Sequence, residues 1–122
     1  MRFACRSLLV VAGLTLAASS PAAARTPYDG NWSVLIVTRS GPCDTAYRYG
    51  LSIRNGQVFY EGSASVNVQG RVGSNGGVSV TVSAGSQGAS GSGRLSRNFG
   101  SGQWRGSGSM GTCVGTWSAE RR

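Results

Sequence analysis

Between Asn31 and Ala119 apolar and polar residues alternate in short runs, interrupted by clusters of Gly, Ser and Asn, and no stretch keeps the period of an amphipathic helix. Such alternation is the signature of a strand with one dry face and one wet face. Eight strands are predicted, at 32–39, 46–54, 57–62, 65–72, 78–84, 89–96, 102–106 and 111–119. Short strands at even spacing predict an all-β fold: a small antiparallel up-and-down barrel of about eight strands, with a β-sandwich as the alternative.

Successive side chains of a strand point to opposite sides, so the alternation also sorts residues by face. The three Trp residues, Tyr47, Tyr49, Tyr60 and most of the Val, Ile and Leu residues share one side with Cys113, and this is the expected core. The other side carries Ser33, Arg48, Ser52, Gln69, Arg71, Thr81, Arg94, Arg105 and similar residues, and is the expected wet face.

Asn55-Gly56 is a two-residue hairpin turn of the kind that needs positive φ at both positions, and it pairs Ile53 with Val58. Core parity in the later hairpins sets Val72 opposite Val78, Ala84 opposite Ala89, Leu95 opposite Trp104 and Gly106 opposite Gly111, which places Trp104 opposite Cys113. The segments Gly91-Ser92-Gly93-Arg94-Leu95 and Gly100-Ser101-Gly102-Gln103-Trp104 put inward glycines beside a large residue. Small next to large fits the taper of a narrow barrel, so the interior is expected to be packed rather than hollow.

Ahead of the strands, Arg2 and Arg6 precede an apolar run from Leu8 to Ala18, followed by the small triplet Ala22-Ala23-Ala24. This is the three-part grammar of a signal peptide, residues 1–24, and the run is too short to span a membrane. Removal after Ala24 leaves one all-β domain, 25–122, with no transmembrane segment and a periplasmic or extracellular location. It also removes Cys5. The remaining pair, Cys43 and Cys113, then reads as a disulfide rather than a metal site.

Ten arginines and four carboxylates follow residue 24, a balance of +6 with no Lys and no His. In the expected register Arg71, Ser79, Arg94, Arg105 and Thr112 lie side by side across the outer face. Three guanidiniums in one exposed row repel unless an anion sits among them, which makes Arg71, Arg94 and Arg105 the candidate ligand-binding residues. Nucleic acid is disfavoured because the aromatic residues that would stack bases sit mostly on the core face. Without His or a free Cys the usual general bases, nucleophiles and metal ligands are nearly absent, so no enzyme activity, metal or cofactor is expected. A carboxylate pair of Asp29 and Asp44 is the one catalytic arrangement left to consider.

Tyr28-Asp29-Gly30-Asn31-Trp32, Cys43-Asp44 with Ala46-Tyr47-Arg48-Tyr49, and the closing Gly111-Thr112-Cys113-Val114-Gly115-Thr116-Trp117 together resemble a group of small exported bacterial β proteins. Most of that group lacks an assigned mechanism, and some members carry the labels heme utilization or adhesion. For heme, Met110 or a tyrosine would be the only usual axial ligand here. Gly30-Asn31-Trp32 is also similar to the G-x-W opening of lipocalin-like barrels and of barrel-shaped periplasmic protease inhibitors, which implies a barrel. The resulting expectation is an exported, non-catalytic binding module for an anionic envelope or extracellular ligand. The alternative is a protein-interaction or protease-inhibitor-like module that meets an envelope protein.

Overall fold

A computed structural model describes Gly13 and residues 25–122; the rest of the predicted leader lies outside the described residues. All eight alternating runs become strands: β1 (Gly30–Ser40), β2 (Ala46–Arg54), β3 (Gln57–Tyr60), β4 (Asn67–Val72), β5 (Gly77–Ala84), β6 (Gln87–Leu95), β7 (Phe99–Gly108) and β8 (Gly111–Arg121). Each pairs antiparallel with its sequence neighbour, and β8 returns to β1, so the sheet closes into an up-and-down barrel. Closure pairs every strand on both sides, with the β3–β4 seam reduced to one ladder pair, Gln57 with Arg71.

The faces fall as the alternation predicts. Trp32, Val34, Ile53, Val58, Val72, Leu95 and Cys113 are buried inside, and the outward positions of β4 to β7 carry exposed Ser, Thr, Asn, Gln and Arg. That polar exterior is the reverse of a lipid-facing barrel wall. Among the described residues no helix is long and apolar enough to cross a membrane. One outward residue departs from the pattern: Ser52, expected wet, is buried, and its hydroxyl has no hydrogen-bond partner among the described residues. Phe59 lies directly across from it and carries the Arg54 guanidinium 4.1 Å from its ring centre, so this stretch of the outer wall has its own cover.

The first hairpin turns as predicted, with φ of 54° at Asn55 and 77° at Gly56, and Ile53 faces Val58. Val72 faces Val78, also as predicted. The later registers differ. Ala84 pairs with Gln87, Leu95 with Gly100, and Gly106 with Cys113, while Trp104 faces Gly115. The chain takes shorter loops than parity alone implied, with Gly85-Ser86 and Ser109-Met110 forming two-residue connections. Every displacement is an even number of residues, so no side chain changes face.

One end of the barrel is sealed by backbone. The Asp29 carboxylate accepts hydrogen bonds from Asn55 N at 2.7 Å, Gly56 N at 3.2 Å and Thr26 Oγ1 at 2.6 Å. Burial opposes ionisation there, yet those donors outweigh it and hold the carboxyl below its usual value. Val72 N donates to Gly56 O, Leu95 N to Gly76 O and Arg121 N to Asn98 O, so the loops of this base are tied to one another.

Candidate ligand-binding site

The opposite end is open. It is formed by the β1–β2 loop, the β3–β4 loop and the tight β5–β6 and β7–β8 turns, and encloses a depression of about 420 Å³ among Pro42, Asp44, Tyr47, Val66, Gln87 and Met110. The sheet is weakest beside it. β3 and β4 share a single ladder pair, Gln57 with Arg71, and residues 61–66 bow away between them. The Cys43–Cys113 disulfide anchors the β1–β2 loop to β8 at this rim. Gly41, at φ 105°, leaves no room for a side chain against Cys113, so glycine is required at the start of that loop.

Below the mouth lies an apolar chamber of about 140 Å³, lined by Val, Ile and Leu side chains with Tyr47, Tyr49, Tyr60, Trp104 and Trp117. Tyr47, Tyr49, Val66, Val82, Ala89 and Trp104 border both spaces, so chamber and mouth are contiguous. The interior therefore keeps a cavity beside its core of Trp32, Val34, Ile53, Val58, Val72, Leu95 and Ala119, against the expectation of close packing throughout. The inward glycines are the reason. Trp117 leaves β8, crosses Gly102 of β7 and donates its indole N–H to Ser92 O of β6 at 3.1 Å. Trp104 leaves β7, crosses Gly115 and donates to Val37 O of β1 at 3.0 Å. A Cβ at Gly102 would stand 2.6 Å from the Trp117 indole nitrogen, and one at Gly115 would stand 2.6 Å from that of Trp104. Glycine lets both rings lie close against the wall, which leaves room for the chamber beside them.

Three phenols mark the passage from chamber to mouth. Tyr47 and Tyr49 meet edge to face with centroids 5.1 Å apart, and Tyr49 meets Tyr60 in the same way at 6.0 Å. Burial first, then the neighbouring Tyr47, pushes the Tyr49 hydroxyl from 10.0 up to about 12. The group stays a neutral hydrogen-bond donor and acceptor at physiological pH.

A pH dependence follows. From about pH 10 to about 12 the unfolded chain loses the Tyr49 proton while the folded chain keeps it, so stability falls as pH rises through that window. No Lys titrates alongside. Denaturation across this range is expected to show the decline in the parent protein and a flatter profile in Tyr49→Phe. The difference should be on the order of 1–2 kcal/mol, reduced by solvent screening at a half-buried site.

The predicted arginine row does not form. Arg71 pairs with Ser79 as expected, but Ser79 pairs with Ser92, Arg94 with Ser101 and Arg105 with Val114, so the three guanidiniums occupy three different ladder rows. Arg71 and Arg94 lie near the sealed base, and Arg105 lies toward the mouth. Asp29 and Asp44 sit at opposite ends of β1 and make no pair. Among the described residues no group of three or more His, Cys, Asp or Glu is placed to hold a metal. Sequence reasoning missed Arg121, which continues the inward parity of Cys113, Trp117 and Ala119 and caps the base against Trp32.

Fold and site together define a closed eight-stranded barrel with a sealed base, an apolar chamber and one open mouth. Comparison with protein-family models, curated proteins and solved structures finds no match.

Proposed function

We propose that this barrel is a non-catalytic binding module, working outside the cytoplasm, that takes a small apolar or aromatic molecule through its open mouth. The contiguity of the apolar chamber with the mouth carries this reading. A dry cavity of about 150 Å³ is large enough to bind benzene. A chamber of about 140 Å³ therefore accepts one ring or a short branched chain. A longer ligand would extend past Tyr47, Tyr49 and Tyr60, whose hydroxyls can bond a polar end group, into the mouth. Small eight-stranded barrels have room for one such guest.

Toluene and indole are suitable probes. Each is expected to raise the melting temperature, with stabilisation growing to roughly 2.7 kcal/mol at a hundredfold excess over Kd. Val80→Phe fills the chamber from β5 and is expected to abolish that stabilisation while the protein still melts cooperatively. Probe binding that persists unchanged in Val80→Phe, or no stabilisation of the parent by either probe, would rule the chamber out as the site.

A further inference from the structure

The charges of the barrel are sorted along its axis. Arg54 ends β2, Arg71 and Arg94 are the penultimate residues of β4 and β6, Arg97 lies in the β6–β7 loop, Arg121 ends β8, and Arg25 precedes β1. All six belong to the sealed base. The carboxylates at that end are Asp29, whose oxygens are taken by the Asn55-Gly56 turn, and Glu120. Toward the mouth stand Arg39, Arg48 and Arg105, with Asp44 and Glu61 in the loops beside them. Arg122 bends away, its guanidinium lying over Gly50 near Glu61. The base therefore sets six arginines against two carboxylates and the mouth three against two, so the base is the more cationic end.

The base also carries Phe99, 63 % exposed at the first position of β7. The backbone that carries it is held in place: Ser96 N donates to Phe99 O at 2.7 Å, Arg121 N to Asn98 O at 2.9 Å, and Arg121 Nε to Arg97 O at 2.8 Å. An exposed aromatic ring at the arginine-rich end of the barrel, with Glu120 as its ladder partner, matches an anionic lipid surface, where guanidiniums meet phosphates and the ring enters the headgroup boundary.

We infer that the sealed base docks the barrel on an anionic membrane surface, through Arg71, Arg94, Arg97 and Phe99, with the mouth turned away from the lipid. The arginines act by long-range attraction, so binding weakens as salt rises toward about 0.15 M. Each arginine near such a surface contributes on the order of fivefold in partitioning. At the mouth Asp44 and Glu61 offset two of the three arginines, and this weaker cationic balance disfavours the inverted orientation.

Sedimentation of the purified protein with vesicles of phosphatidylcholine alone, or with an equal part of phosphatidylglycerol, tests this. Binding is expected only to the anionic vesicles. The triple variant Arg71→Gln, Arg94→Gln, Arg97→Gln should lose about a hundredfold in partitioning. The equally charged triple Arg39→Gln, Arg48→Gln, Arg105→Gln should retain most of it. Phe99→Ser should weaken vesicle binding about tenfold while leaving any binding of a single-stranded oligonucleotide unchanged. Equal losses in the two triples would reduce the effect to net charge and overturn the docking face. Absence of vesicle binding at low salt would overturn it as well, as would an oligonucleotide that binds more tightly than the vesicles and competes with them. Cooperative melting of each variant at an unchanged temperature confirms that folding is not what was lost.

Discussion

Removing the Cys43–Cys113 bond is expected to lower folding stability by about 4 kcal/mol. The two cysteines are separated by 70 residues, so the bond closes a loop that contains most of the strands. In the chain-entropy account a cross-link acts mainly on the unfolded ensemble, and the gain grows slowly with the logarithm of loop length. Small domains are stable by only about 5–15 kcal/mol, so this is a large share of the whole. At roughly 4–8 °C per kcal/mol for a domain of this size, the melting temperature should fall by about 15–30 °C. Urea denaturation with and without reductant measures it directly, alongside the double variant Cys43→Ala, Cys113→Ala. Alanine is the better replacement because Cys113 is 1 % exposed, and a serine hydroxyl there would add a desolvation cost of its own. A loss below about 1 kcal/mol would contradict the chain-entropy reading. The bond also fixes the loop that carries Pro42 and Asp44 at the mouth. Probe binding in the chamber should therefore become weaker even under conditions where the reduced protein is still folded.

The sequence made the sidedness of this fold legible and left its register partly hidden, for a single reason. Burial acts on parity: moving Val80 or Trp104 by one residue would turn it to solvent, so alternation alone identifies the inner face. Moving a strand by two residues costs little in a chain where Gly, Ser and Val recur at every second position. Turn closure then decides, as at Gly85-Ser86, where the shortest available hairpin shifted Ala84 from Ala89 to Gln87. The Asn55-Gly56 turn was readable because both its residues adopt positive φ; the later turns carry the same constraint only at single glycines, Gly76, Gly85 and Gly111, which the many neighbouring glycines conceal. The arginine row depended on those later registers and fell with them. The interior cavity was hidden for a related reason. Inward glycines opposite tryptophans indicated close approach, but whether each ring points to the axis or lies along the wall depends on carbonyls two strands away, at Ser92 and Val37. The base cap could have been found from Arg121, an arginine at inward parity and therefore in need of buried acceptors.

Trp32→Ala is expected to cost about 3–5 kcal/mol, comparable to the loss of the disulfide. Trp32 is 1 % exposed at the bottom of the core, and its indole N–H donates to Tyr28 O at 2.8 Å. The Arg121 guanidinium stacks with its central carbon 4.7 Å from the ring centre. From that position Arg121 donates to Asp29 O at 2.6 Å, Pro27 O at 2.6 Å and Arg97 O at 2.8 Å, joining the N-terminal segment, the β6–β7 loop and β8. Gly30, at φ 135°, makes the arrangement possible, since a Cβ there would lie 2.9 Å from Arg121 Nη1. This gives the Gly30-Asn31-Trp32 segment a physical meaning: the glycine admits the arginine that the tryptophan supports. Arg121→Met keeps much of the hydrophobic stem and removes the charge, leaving three carbonyls without that donor. It is expected to cost about 2–3 kcal/mol. Because the two residues touch, the double variant should be less destabilised than the sum of the singles, with a coupling of about 1–2 kcal/mol. Strict additivity in chemical denaturation would show that ring and guanidinium act separately. Trp32 lines the chamber and Arg121 does not, so Arg121→Met should leave toluene binding in place wherever the variant remains folded, whereas Trp32→Ala should alter it, and that separates sealing the base from shaping the site.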